Sequence, residues 1–199
     1  MNIAQKDIAA LIGSRICHDL ISPLGAIGNG VELLGMAGTI DGPEMALINE
    51  SVLNANARIR YFRIAFGAAK HEQMIGRDEI LSVLKDVGVG GRVQVKWNSD
   101  DKILREQVKL AFLLIQCFET SLPYGGIIAV NQDQNGWKLH CTADRINIDP
   151  SIWEFLVSAN VTKDISPAEV HFALVPDAAR NAGRNLRTEL QDHAITLTF

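Results

Sequence analysis

Apolar residues fall at Leu20, Leu24, Ile27, Val31 and Leu34, the three-four spacing that predicts one buried face of a long amphipathic helix. Ile8, Leu11 and Ile12 carry that face back toward the N-terminus, so the helix is expected from Ile3 to Met36. Gly35, Gly38, Asp41, Gly42 and Pro43 then break the pattern and predict a tight connection. Met45, Ile48, Val52, Ala55, Ile59, Phe62, Phe66 and Ala69 resume an alternating spacing of three and four, over about 25 residues. Two long helices on a short loop make an antiparallel hairpin. Alone it leaves much of its apolar stripe wet, which predicts a symmetric homodimer closing a four-helix bundle. Closure of the bundle by the chain's own C-terminal half is the alternative.

The heptad pattern ends near His71 to Gly76, which places a domain boundary between residues 74 and 75. Beyond it the periods mix. Glu79 to Val87 reads as a helix, Gly88, Gly90 and Gly91 as a turn, Arg92 to Trp97 as a strand and Lys102 to Leu122 as a helix. Ile127 to Gln132 and Trp137 to Ala143 flank Asp133 to Gly136 as a hairpin. Ile152 to Ala159 and Pro167 to Ala182 read as helices, and Asn185 to Gln191 and Ala194 to Phe199 as a closing pair of strands. The expected fold class is α+β, a helical hairpin over residues 1–74 followed by an α/β sandwich over 75–199 with helices on one face of a mixed sheet.

Composition narrows the partners. The 199 residues are 47% hydrophobic and 21% charged, with a net charge of −4, and no basic block or aromatic-basic interleaving points to nucleic acid. No run approaches the ~20 apolar residues of a membrane span, and the first residues lack a signal-peptide layout, so a cytoplasmic protein with protein partners is expected. Cys17, Cys117 and Cys141 show no paired spacing, which argues against a disulfide framework or zinc site. His71, His140, His171 and His193 are scattered without ligand spacing, and no metal site is expected. Arg180, Arg184 and Arg187 read as a solvated basic face.

The remaining histidine is different. At about 100° per residue, His18 lies across the first helix from the apolar stripe, on a face shared with Ser14, Ser22, Gly25, Asn29 and Glu32. Such small and polar residues leave room for a macromolecule to approach one imidazole. Pro23 lies inside the helix, where a proline costs on the order of 3 kcal/mol and predicts a kink. The plain reading of a lone histidine on a helix is a solvated side chain; Asp19, Pro23 and the small-residue face weigh against it here. A metal-dependent phosphohydrolase with a His-Asp pair would need a second ligand cluster, which this sequence lacks.

The run His18-Asp19-Leu20-Ile21-Ser22-Pro23-Leu24 resembles the H-box of two-component histidine kinases, and the longer run Arg15 to Leu34 is similar to the ChpT-type histidine phosphotransferases of alphaproteobacterial phosphorelays. The resemblance implies that His18 takes a phosphoryl group from a receiver aspartate of a hybrid kinase and passes it to a response-regulator receiver. It implies that Asp19 orients or polarises His18, a solvated helix acid being the plain alternative. Ser14, Ser22, Gly25 and Asn29 would make room for the receiver, with Arg15 at the edge of that face. Mg²⁺ and a lysine would come from the partner receiver domain, and this chain would hold no cofactor. The second domain resembles a degenerate kinase ATP-binding domain. Leu113 to Leu122 lacks the family's asparagine, Ala143 to Asp149 lacks Asp-x-Gly-x-Gly, and no glycine occurs between Gly136 and Gly183. Without glycines the backbone cannot approach phosphate closely. Two other readings stay open: a dimeric adaptor that binds receivers without transfer, and an ATP-dependent kinase with an unusual nucleotide site.

Overall fold

The computed structural model describes residues 5–37, 42–69, 72–134, 136–156 and 164–199. Helix α1 (Gln5–Ala37) runs through Pro23, and α2 (Pro43–Ala65) begins on Pro43 at its first turn, where a missing N–H costs nothing. Ile3 and Ala4, His71, and residues 157–159 of an expected helix fall outside the described residues.

Of the expected stripe, Leu20, Ile27 and Leu34 are half-buried, whereas Leu24 and Val31 are each 58% exposed in the single chain; beside it Pro23 and Gly30 are buried and Ile16, Asp19 and Ala26 half-buried. The reason is close approach. A Cβ on Gly30 would collide with Ile48 of α2 and lie 3.3 Å from the Glu44 carbonyl, so α2 lies close against α1 there, and Leu24 and Val31 are left beside it. On α2, Val52, Ile59 and Leu53 are likewise exposed, at 39%, 43% and 70%.

The rest of the chain is an α/β sandwich. Strand β1 (Met74–Gly76) leads into α3 (Arg77–Gly88), whose Asp78 and Glu79 suit the positive end of the helix dipole and whose Lys85 suits the other. Then come β2 (Val93–Asn98), β3 (Lys102–Leu104), α4 (Arg105–Ser121), β4 (Gly126–Asp133) and β5 (Gly136–Thr142). After α5 (Pro150–Trp153) and 3-10 turns at Glu154–Leu156 and Pro167–Glu169 follow α6 (Val170–Asn181), β6 (Arg187–Gln191) and β7 (Ala194–Thr198). The main sheet has the order β2-β4-β5-β7-β6, with β2 and β4 parallel and the other pairs antiparallel. Gly136 holds φ 130 with the Phe199 carbonyl where its Cβ would be, which ties the β4–β5 turn to the end of the chain.

Three expected elements are corrected. The helix placed from Lys102 begins at Arg105, because Lys102–Leu104 pairs antiparallel with Met74–Gly76 and buries Ile75 and Ile103. The helix expected from Ile152 begins at Pro150 and tightens to a 3-10 turn over Glu154–Leu156. Pro167 to Ala182 starts as a 3-10 turn capped reciprocally by Ser166 and Glu169, and is α-helical only from Val170.

Helix α4 carries the core. Val108, Leu110, Phe112, Leu113, Leu114, Ile115 and Phe118 are all fully buried, so the helix is apolar all round and needs cover on every side. The sheet supplies Ile128, Val130, Leu139, Ile195 and Leu197, α6 supplies Phe172 and Val175, and the end of α2 supplies Tyr61, Phe62, Ile64 and Ala65. The Tyr61 hydroxyl donates to the Phe112 carbonyl at 2.8 Å. The hairpin is therefore part of the same core. Because Gly30 sets the spacing of α1 and α2, Gly30→Leu should lower the melting temperature by roughly 3–10 °C through overpacking, measured by thermal circular dichroism.

Candidate functional site

Position 18 lies mid-way along α1, and its neighbours by helical register, Ser22, Gly25, Asn29 and Glu32, are all exposed. The side chains of Ser14 and His18 lie outside the described part of the structure.

Around this turn a set of charged side chains converges from three helices. Arg15 Nε donates to Asp19 Oδ2 at 2.9 Å, closing one turn of α1, and its Nη1 donates to the Ala168 carbonyl at 3.0 Å in the 3-10 turn before α6. Arg58 of α2 comes to 3.7 Å from the same Asp19 oxygen, while its Nε donates to Asn54 at 3.0 Å. The Asp19 side chain is 8% exposed and those of Arg15 and Arg58 are 22% and 40%. A carboxylate so enclosed has to be paired, and it is. Asp19, Ser22, Pro23 and Ala26 line a groove of about 210 Å³ with Leu47, Ser51 and Arg58.

Glu119 of α4 is half-buried and lines a cavity of about 430 Å³ with Arg58, Tyr61 and Arg92. Burial pushes its pKa up to about 7, Arg15 and Arg58 hold it lower than burial alone would, and Asp19 adds to the rise. Across α4, His171 accepts or donates at Thr120 Oγ1 at 3.1 Å and has its pKa lowered to about 3, by burial first and by Arg15 second.

Sequence reasoning placed Asp19, Arg15 and Ser22 in this region; it missed Arg58 and Glu119. Glu119 had a signal, since it is the lone carboxylate in the apolar run from Leu110 to Leu122. Arg58 had none, being one of several basic residues on α2.

One face of α4 is packed with aromatic rings. Phe118 and Trp153 meet edge-on at 5.6 Å, Trp153 and Phe172 at 5.8 Å, and the Trp153 indole donates to Ser121 at 3.0 Å. Asp149 caps α5 by accepting from the Ser151 backbone N–H. Among the described residues no helix is long and apolar enough to cross a membrane.

A hairpin carrying an H-box-like turn on an α/β sandwich describes the phosphotransfer class, and the comparisons agree. Residues 77–194 match the histidine phosphotransferase C-terminal domain family, and the chain belongs to it. It is 38% identical to the protein phosphotransferase ChpT of Brucella abortus (strain 2308) over 132 residues, 65% of this chain and 63% of that protein. The match thus spans just under two thirds of that relative's length. A structure described as a bacterial phosphotransferase superposes with a TM-score of 0.81 at 28% identity, covering 99% of this chain and 97% of the other.

Glu119 makes a stability prediction. Its pKa is raised on folding, so between the ordinary carboxylate value near 4.5 and about 7 the folded state binds more protons than the unfolded one, and stability falls as pH rises through that window. His171, lowered on folding, has the opposite slope between about 3 and 6.5. The two partly cancel in wild type, so the difference between variants is diagnostic. Glu119→Gln should match wild type near pH 5 and gain in relative melting temperature up to pH 8.

Proposed function

We propose that this chain is a histidine phosphotransferase that accepts a phosphoryl group on His18 from one receiver aspartate and passes it to another. The observation that carries the reading is the setting of position 18. Its register neighbours are small or polar and exposed, while the apolar residues Leu24, Val31, Val52 and Ile59 lie elsewhere on the hairpin. Counting about 100° per residue along two antiparallel helices puts those four apolar residues on one side of the hairpin and position 18 on the other. A dimer can then form through the first side and leave the second open to a receiver.

In this reading a neutral imidazole nitrogen of His18 attacks phosphorus as the bond to the donor carboxylate breaks. The electron pair leaves with that carboxylate, and the phosphorylated ring releases its extra proton to solvent. Histidine with an ordinary pKa near 6.5 is mostly neutral at cytoplasmic pH. The transfer needs in-line placement and neutralised charge more than covalent help, and Mg²⁺ on the receiver would supply the neutralisation. Ser14, Ser22, Gly25 and Asn29 form the receiver-facing surface, Arg15 reaches it from the edge, and Asp19 orients the turn. Residues 1–74 act as the dimerisation and phosphotransfer unit and 75–199 as a kinase-like unit that has given up nucleotide. The partners are the receiver of a hybrid kinase and that of a response regulator, in the cytoplasm.

Incubation with a phosphorylated receiver should label wild type and not His18→Ala, with the acid-labile, base-stable behaviour of a phosphoramidate. γ-Labelled ATP with Mg²⁺ should label neither. Label from ATP would favour the kinase reading. Absence of receiver-derived label on a folded dimer would favour an adaptor. By sedimentation equilibrium the wild-type chain should weigh twice 21.8 kDa, and Leu24→Glu combined with Val52→Glu should shift it to monomer.

A further inference from the structure

Resting on the phosphotransfer reading, we propose that Arg58 is a positioning residue for transfer at His18: it clamps Asp19 together with Arg15. The clamp spans the phosphoacceptor position. Arg15 lies three residues before it and Asp19 one after, joined at 2.9 Å. This pair is anchored at both ends to other parts of the fold, through the Ala168 carbonyl at 3.0 Å and through Arg58 of α2 at 3.7 Å. The turn that carries position 18 is thereby fixed against both α2 and the C-terminal unit. Misplacing a reacting group by about 1 Å can cost as much as 100-fold in rate, so a residue that fixes the turn acts on transfer without touching phosphate.

The test is single-turnover transfer from a phosphorylated receiver to this chain, for wild type, Arg58→Ala and Arg58→Lys, with melting temperature and sedimentation recorded for each. Arg58→Ala should be slower by about tenfold, and Arg58→Lys should recover part of that loss. Arg58→Ala transfer at the wild-type rate in a folded dimer overturns the clamp alone. Absence of label on wild type overturns the phosphotransfer reading and the clamp with it.

Discussion

A helix that is apolar on every side can exist in water only if something covers every side, and α4 is such a helix. Its burial dictates that the sheet, α6 and the lower end of α2 all meet on it, which welds the hairpin to the sandwich through Tyr61, Phe62, Ile64 and Ala65. Into that surface the sequence sets one carboxylate, Glu119. Burial pushes its pKa up to about 7, and the nearby charges of Arg15 and Arg58 hold it lower than burial alone would. Both arginines pair with Asp19. The turn around position 18 is thus tied to α2 through Arg58, and to the start of α6 through Arg15 and the Ala168 carbonyl.

The hairpin has two unlike sides for a related reason. Gly30 lets α2 lie close against α1, with Ile48 of α2 seated over it. Leu24, Val31, Val52 and Ile59 lie on one flank, where the chain by itself leaves them wet. Exposed aliphatic residues arranged in a row along two helices are a surface that needs a partner. The opposite flank keeps Ser22, Gly25 and Asn29. Small residues on α1 thus do two jobs by position: on one stripe they bring α2 close, and on another they leave an open surface around position 18.

The long elements were legible because periodicity persists: the two hairpin helices, α3, the β4–β5 hairpin and the last two strands all lie close to where the pattern puts them. The misses have local causes. Strands β1 and β3 are three residues each, too short for alternation to declare itself, and exist because they find each other across the start of α4. On α1 hydrophobicity marks a face that avoids water without saying which partner covers it, so Leu20, Ile27 and Leu34 are half-buried while Leu24 and Val31 stay exposed in the single chain. At the candidate site, a motif of adjacent residues pointed to His18 and Asp19. Arg58 comes from another helix and carries no motif; only the fold brings it to 3.7 Å from Asp19.

Phe118, Trp153 and Phe172 fill one face of α4, with the Trp153 indole satisfied by Ser121. Such packing is complete within the protein, so that side of α4 is part of the core. The turn before α6 is fixed by its own capping pair, Ser166 and Glu169, and holds the Ala168 carbonyl where Arg15 meets it. Packing aromatic rings on α4 and holding the turn around position 18 are consequently one construction: the rings seat α6 on α4, and the start of α6 reaches α1.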